Sequence, residues 1–553
     1  MGRLSKHILG VGPARAHASG LQEGLLLSIL MTSSQADDPA WWGNLEQSLK
    51  GMADTRHAIQ EGSVHLSHSN DPRNALLSLL REQVGDSHVF TQAHDVAPFV
   101  EDWRGRYRGE VLAVVEPAST EEVAGVVTCC AQAGVKVVPQ GGHTSMVGGA
   151  TPVGARLDKG TAPVVLSLRR MNRIREVDVV GNTLVAEAGC VLQHVQQAAQ
   201  EKGRLYGVTL GAEGSCQIGG NVSTNAGGTG VLKYGNTREQ VLGLEVVLPD
   251  GRVWHGLRTL RKDNAGYNLK HLFIGGEGTL GIVTAVAVRL HPQPAVISTA
   301  WLTLDTVEQA LACLAHLQSM AGDRIAGYEL LNQAQLQAVL AHFPQVRLPA
   351  DPTAPYAVLV ELSDTYAKAD LQGLMEDALS QLAERGLLRD AAIASSDAQR
   401  AAFWHIRHSI SESNRKAGMG LSTDVAVPVK SIAVFIQQAS EAVLARWPDL
   451  TIVLVAHMGD GNVHFIPRFS FEQWAKVANP AELADAVRSV VHDVAVSLGG
   501  TFSAEHGVGH VLVDELVRLR SPLELELMHR IRHALDPQEM MNPGKLLRPA
   551  AKP

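Results

Sequence analysis

Two glycine-rich stretches in the first half of the chain limit its fold more than any other feature. Pro139–Gly149 holds four glycines in eleven residues and follows the strand-like run Val135–Pro139. Gly211–Gly228 is longer and interleaves glycine with Ser215, Asn221, Ser223, Thr224 and Asn225. Glycine lets backbone N–H groups approach an anion closely, and consecutive N–H groups make a concave nest for phosphate. Either stretch by itself reads equally well as a set of tight turns. Two in one domain favour a large polar cofactor. A third, Gly276-x-Gly278-x-x-Gly281, matches the dinucleotide string, but that fingerprint needs a helix after it. Ile282–Val288 follows instead and reads as a strand, so a Rossmann site is rejected there.

Around these loops the pattern is α+β. Ser119-x-x-Glu122 is a capping box ahead of Val123, Val126, Val127 and Cys130 at helical spacing, with Gly134 as the stop. Val191–Lys202 reads as a helix closed by Gly203, and Gly181-Asn182 and Asp250-Gly251 read as hairpin turns. Strands with few helices continue to about Leu290, which is not a regular βαβ repeat. His291-Pro292-Gln293-Pro294 marks a boundary. Beyond it, helices are expected from Asp305-x-x-Glu308, over Thr365–Arg385, and near 398–418 and 431–446. Tyr356–Glu361 and Asp424–Val429 read as strands, and Thr451–Phe469 as a hairpin.

The 553 residues are 45% hydrophobic and 19% charged, an ordinary globular balance. A net charge of -8 without a long basic run argues against nucleic acid as a partner. No apolar run approaches the ~18 residues that span a bilayer. Leu25–Met31 could serve as a short export-signal core ahead of Ser34-Gln35-Ala36, but Glu23 stands where positive charge is needed. A frayed tail with initiation at Met31 is the reading preferred. Five cysteines without a C-x-x-C pair point to a reduced, cytoplasmic protein.

A second constellation lies far along the chain. If Asp460-Gly461 forms a two-residue turn, His457 and His464 face each other directly across a hairpin. Their Cβ atoms would then be roughly 4.5–5.5 Å apart, near enough to share an ion. Glu505, in Ser503–Gly509, could add a carboxylate. Two imidazoles and one carboxylate leave coordination positions open, as catalytic metal sites do. On spacing alone, paired surface histidines explain the same residues. His506 and His510 are further candidates.

Taken together, these segments resemble the FAD-dependent D-2-hydroxyacid dehydrogenases of the vanillyl-alcohol-oxidase flavoprotein superfamily. The branch of D-2-hydroxyglutarate and D-lactate dehydrogenases is most similar. The resemblance runs from about Asp71 to Leu547. It is carried by Val138-Pro139-Gln140-Gly141-Gly142-His143-Thr144, by Ile218–Gly228, and by Arg261-Lys262-Asp263-Asn264-Ala265-Gly266-Tyr267. Phe273–Gly281, His457–His464, Ser503–Gly509 and Asn542-Pro543-Gly544-Lys545 complete it.

The resemblance implies a two-domain fold: an N-terminal extension (1–70), an FAD-binding domain (71–294), a substrate cap with a metal site (295–510), and a C-terminal segment returning to the FAD domain (511–553). Pro139, Gly141, Gly142, His143, Thr144, Ser145, Gly148 and Gly149 would surround the pyrophosphate. Gly211, Ala212, Ser215, Gly219, Gly220, Asn221, Ser223, Thr224, Asn225 and Gly227 would line the cofactor, with Gly281, Ile282 and Val283. Asn542 would approach the flavin ring. His457, His464 and Glu505 would hold a divalent metal, zinc or manganese, and His506 would be the catalytic base. Arg407, Ser411, Thr423 and Asn462 would contact the substrate, with Arg407 on its carboxylate.

Two positions depart from the branch. Ser422 stands where the hydroxyglutarate enzymes carry lysine, which opens D-lactate or another D-2-hydroxyacid as substrate. His143 stands where many relatives have Asn; it is read either as a covalent link to FAD or as a hydrogen-bonding loop residue. The expected electron acceptor is an electron-transfer flavoprotein or a quinone, and a homodimer is left open. Alternatives are an oxidase using oxygen, a metal-dependent hydrolase whose glycine loops are only structural, and a non-catalytic flavoprotein subunit.

Overall fold

The computed structural model describes residues 71–153 and 162–549. The N-terminal extension, with Leu25–Met31 and Ser34-Gln35-Ala36, lies outside the described residues. The first sheet runs in the order Val89–Phe90, Ala113–Val115, Val164–Ser167, Val137–Gln140. Its last three strands are parallel. Parallel strands need a crossover, and the helix Thr120–Ala133 supplies it between Ala113–Val115 and Val137–Gln140. Ser119 Oγ accepts from Glu122 N at 3.2 Å, as expected of the cap. The Glu122 carboxylate closes the other half one residue early, on Ala118 N at 2.8 Å. Gly134 ends the helix in the left-handed region at φ 67°. The strand Val137–Gln140 then delivers the chain into the first glycine loop.

The second sheet is antiparallel, in the order Ile174–Asp178, Thr183–Glu187, Ile282–Arg289, Val241–Val247, Val253–Gly256. Its central strand is the one expected after Gly281. Both sheets share one apolar core, and Met540 and Met541 pack into it from the far end of the sequence. Asn542 N donates to Val137 O at 2.8 Å.

The third sheet holds eight strands. Val296–Leu304, Tyr356–Asp364, Ile325–Asn332, Thr451–His457 and Asn462–Phe469 are neighbours in that order, and Thr423–Ala426 pairs with Asn462–Phe469. Leu330 and Leu331 point into different cores. This is the period-2 alternation of a strand covered on both faces. Helices Val307–Ala321, Leu371–Glu384 and Ile432–Arg446 cover one face. Gln333–His342 and Asp397–His408 cover the other.

Several local boundaries differ from expectation. Thr306 and Gln309, not Asp305 and Glu308, form the capping box of Val307–Ala321. Both pairs have the required spacing, and the threonine hydroxyl wins the N3 amide. The helix expected from Thr365 begins at Leu371, capped by Asp370. The helix near 398–418 divides into Asp397–His408 and Ile410–Ala417 at Ser409, whose hydroxyl bonds back to His405 O at 2.8 Å. The strand expected over Asp424–Val429 is Thr423–Ala426. Among the described residues, no helix is long and apolar enough to cross a membrane.

Candidate active site

The hairpin Thr451–His457 / Asn462–Phe469 carries the first two histidines, but in another register than expected. His457 pairs with Asn462, and His464 pairs with Val455. The loop is therefore 458–461 rather than the two residues Asp460-Gly461. A shift of two residues in one strand keeps every side chain on its own face, because the side-chain period is two. His457 and His464 remain neighbours on the diagonal, with ring centroids 5.4 Å apart.

Register also places a carboxylate behind each imidazole. Glu329 is the direct cross-strand partner of His457, and its Oε1 lies 2.6 Å from Nδ1. Asp424 is the direct partner of His464, with Oδ1 at 3.7 Å from Nδ1. Asp424 also accepts the backbone N–H groups of Ala504, Glu505 and His506 at 3.2, 2.8 and 2.7 Å. It thereby fixes the turn that carries Glu505, and its Oδ2 lies 3.5 Å from His506 Nδ1. Glu505 reaches back to both hairpin histidines: Oε1 is 3.6 Å from His457 Nε2 and Oε2 is 3.6 Å from His464 Nε2. Each of the three imidazoles thus has a carboxylate on its Nδ1 side, and the Nε2 atoms of His457 and His464 both face Glu505. A carboxylate behind Nδ1 fixes the ring and raises its donor strength toward a metal.

The electrostatics agree. Burial pushes the Glu329 carboxyl up, but the charges of His457 and Arg407 outweigh it and hold it at about 2. Burial lowers His457, yet Glu329 and Glu505 bring it up to about 9. His464 is driven down by burial, against the pull of Asp424. Burial raises Glu505. His464, kept neutral by burial, offers a ring nitrogen to a divalent ion as it stands, whereas His457 must give up the proton that Glu329 and Glu505 hold on it before it can ligate. Asp424, His464, Glu505 and His506 form a second, overlapping group whose ligand atoms lie within 4.8 Å of one another. Asp424, however, is occupied by backbone donors and by Asn462 Nδ2 at 2.9 Å.

The substrate candidates divide. Arg407, on the helix Asp397–His408, donates from Nε to Glu329 Oε2 at 2.7 Å and brings Nη2 to 3.5 Å from His457 Nε2. Thr423 spends its hydroxyl on Phe465 O at 2.7 Å. Asn462 holds Asp424 through Nδ2, and its buried Oδ1 has no partner among the described residues. Ser411 lies exposed on Ile410–Ala417, and no hydrogen bond joins it to the cluster. His510 stays apart, its N–H donating to Val147 O.

The glycine loops meet each other. A Cβ on Gly142 would collide with the Ser215 carbonyl. Among the described residues, no amide from Gly141 to Met146 donates to a protein acceptor. Gln217 Oε1 and Asn542 Oδ1 are buried without a partner. Such a run of amides with orphaned acceptors fits the phosphates and polar edges of FAD. Several hydroxyls expected to line the cofactor turn inward: Ser145 accepts from Gly149 N at 3.0 Å, Ser223 donates to Gly219 O at 2.8 Å, and Thr224 to Gly220 O at 3.1 Å. His143 has φ 56° and sets its ring nitrogens 3.3 Å from Pro98 O and 3.0 Å from Thr151 Oγ1.

Glu277 links the two halves of the site. Its carboxylate accepts Val508 N at 2.8 Å and Gly509 N at 2.7 Å, just past His506. Its carbonyl takes Asn542 Nδ2 at 2.7 Å. Glu277, Glu329 and Asp424 were not singled out from sequence. One signal was available: Glu329 is the only charged residue of the strand Ile325–Asn332, and a charge inside an apolar strand needs a partner.

Comparison with known proteins identifies the family. Residues 111–256 match the FAD binding domain family, and residues 293–546 match the C-terminal domain of FAD linked oxidases. The chain is 34% identical over 472 residues to the mitochondrial D-2-hydroxyglutarate dehydrogenase of Arabidopsis thaliana, covering 85% of this chain and 81% of that protein. It is 35% identical to the D-2-hydroxyglutarate dehydrogenase of Xanthomonas citri pv. viticola, over 86% of this chain and 97% of that one. Among solved structures, p-cresol methylhydroxylase with substrate bound superimposes with a TM-score of 0.65 at 16% identity, over 87% of this chain and 97% of that chain. The 4-ethylphenol oxidase of Gulosibacter chungangensis gives 0.65 at 18% identity, over 87% and 98%. These neighbours establish the vanillyl-alcohol-oxidase-type fold. With that fold and relatives matched over most of their length, the chain belongs to the family of FAD-dependent D-2-hydroxyacid dehydrogenases.

Proposed function

We propose that this chain oxidises a D-2-hydroxyacid to the 2-oxoacid with the help of a divalent ion, and passes the electrons to a carrier other than NAD, such as an electron-transfer flavoprotein or a quinone. The observation that carries this reading is the convergence of three carboxylate-backed imidazoles and Glu505 beside Arg407. FAD, held by the amides of Gly141–Met146 and by Asn542 and Gln217, supplies the two-electron acceptor. A divalent ion held by His457, His464 and Glu505 supplies a Lewis acid for the substrate hydroxyl.

The remaining roles fall to the protein. Arg407, anchored by Glu329, offers its Nη groups to the substrate carboxylate and fixes which face of the Cα is presented. His506 receives the hydroxyl proton at Nε2, since Asp424 stands at its Nδ1. Glu277 keeps the His506 turn against the cofactor side through Val508 and Gly509.

The test is anaerobic mixing of the purified protein with D- and L-2-hydroxyacids while flavin absorbance is followed. D-2-hydroxyglutarate or D-lactate should bleach the flavin and the L-isomers should not. Bleaching by neither D-acid, or by both hands alike, would refute the reading. Dye reduction compared with peroxide formation in air then separates a dehydrogenase from an oxidase.

A further inference from the structure

The helix Pro522–Leu535 is apolar on two faces. Its inner face is covered: Leu525 and Met528 pack on the cluster around Phe502 and Leu512, and Leu535 packs on the core shared by the first two sheets. Arg532 lies between them, buried, and donates to Leu547 O and Met541 O, both at 3.4 Å. On the outer face, Leu523, Leu527 and Ile531 remain 63, 49 and 40% exposed. Their spacing of four residues sets them in one stripe along the helix. A helix on the surface of a soluble domain ordinarily turns polar residues outward along this line. Apolar residues on both faces call for a second partner.

The charges beside the stripe select that partner. Glu526 and Arg530 follow Leu523 and Leu527 by three residues, so they run along one edge of it. Both side chains are exposed, and they pair with each other, Arg530 Nη2 to Glu526 Oε1 at 2.5 Å. This edge is therefore acidic toward the start of the helix and basic toward its end. A second copy of the helix, laid antiparallel about a two-fold axis beside Leu527, meets it with the signs reversed. Glu526 of each copy then comes opposite Arg530 of the other, and Leu523 opposite Ile531. Parallel helices would set each charge against its own image and align their dipoles. A surface complementary to itself under a two-fold rotation is what an isologous dimer requires. An anionic membrane suits the stripe less well: interfacial helices carry Lys and Arg beside their apolar face, whereas Glu524 and Glu526 stand here.

We propose that Leu523, Leu527 and Ile531 form the centre of a two-fold contact in which the helix Pro522–Leu535 packs antiparallel on that of a second copy of this chain, with Glu526 and Arg530 exchanged along its edge. The contact does not rest on the oxidation proposed above, since it uses none of the residues assigned to the cofactor, the metal or the substrate. Its apolar centre supplies the association and its charged edge fixes the antiparallel direction.

The test is sedimentation velocity of the FAD-loaded full-length protein across a dilution series, with circular dichroism and flavin absorbance recorded on each variant to check folding. The unaltered protein is expected to form a dimer that dissociates on dilution. Leu527→Glu, at the point where the stripe meets its own image, should weaken that dimer about 100-fold or more and leave the fold intact, because the side chain is exposed in the single subunit. Glu526→Arg and Arg530→Glu each set like charges against one another and should weaken it about three- to ten-fold. The double exchange restores opposite signs and should recover most of the loss. A monomer at every concentration, a dimer untouched by Leu527→Glu, or a double exchange no tighter than the single variants overturns the proposal. Flotation of the unaltered protein with phosphatidylglycerol vesicles in place of a dimer, lost in Leu527→Glu, also overturns it, because the stripe would then be a lipid contact.

Discussion

Glu329 Oε1 stands 2.6 Å from Nδ1 of His457, across directly paired strands, while its Oε2 takes the Arg407 guanidinium at 2.7 Å. One buried carboxylate thus orients a metal-ligand candidate and a substrate-ligand candidate together. Glu329→Gln keeps the shape and removes the charge. It is expected to weaken retention of a divalent ion about 10- to 100-fold, the usual cost of losing such a partner. Metal content after dialysis against a graded chelator series measures this. Part of the effect should appear as lowered thermal stability, because the variant leaves His457 and Arg407 facing each other without an anion between them.

Removing the ion itself should be reversible. Chelator treatment is expected to abolish flavin bleaching by D-2-hydroxyacids while the visible spectrum of bound FAD persists. Zinc or manganese should restore it. His464→Ala and Glu505→Ala should reproduce the chelated state and resist rescue. Restored turnover in either variant on adding metal would disprove their role as ligands.

Glu277→Ala tests the link between the two halves. Val508 N and Gly509 N would lose their acceptors, at roughly 1–3 kcal/mol for each buried donor left unsatisfied. Lys545, fully buried and attracted by Glu277, would lose its counter-charge. The expected outcome is a lowered kcat with FAD still bound, together with a lower melting temperature. Hydrogen exchange at the Ser503–Gly509 turn should quicken.

Acid should destabilise the fold in a defined window. Burial raises Glu515, but hydrogen bonds from His492 and Arg518 prevail and hold it at about 2, against an ordinary 4.5. Glu329 is likewise held at about 2. A carboxyl depressed in the folded state contributes stability that is present above its unfolded value and lost as pH falls through the folded one. Melting temperature should therefore decline from about pH 4.5 toward 2. Glu515→Gln should flatten that decline and lower stability at neutral pH.

His143 bears on how FAD is attached. Both of its ring nitrogens face protein oxygens, Pro98 O and Thr151 Oγ1. A ring engaged in this way favours non-covalent binding, so acid precipitation should leave the yellow colour in the supernatant. Colour in the pellet would disprove it.

Much of this site was legible along the chain. The glycine loops, the strand after Gly281, His457 and His464 could be named because their chemistry is local, glycines where backbone must come close and imidazoles on one hairpin; Glu505 was a carboxylate from a separate segment, and Arg407 came from the family resemblance alone. The family resemblance supplied their roles. The groups that sequence could not supply are those whose meaning depends on register and on distant packing. Asp424 meets His464, and Glu329 meets His457, only because four strands align in one sheet. The hairpin loop differs in length from expectation, yet the histidines stay together, since a two-residue shift preserves the face. Local propensity and spacing specify which residues can do chemistry; long-range pairing decides which of them share one site, because such contacts are fixed by the whole sheet rather than by neighbours in the chain.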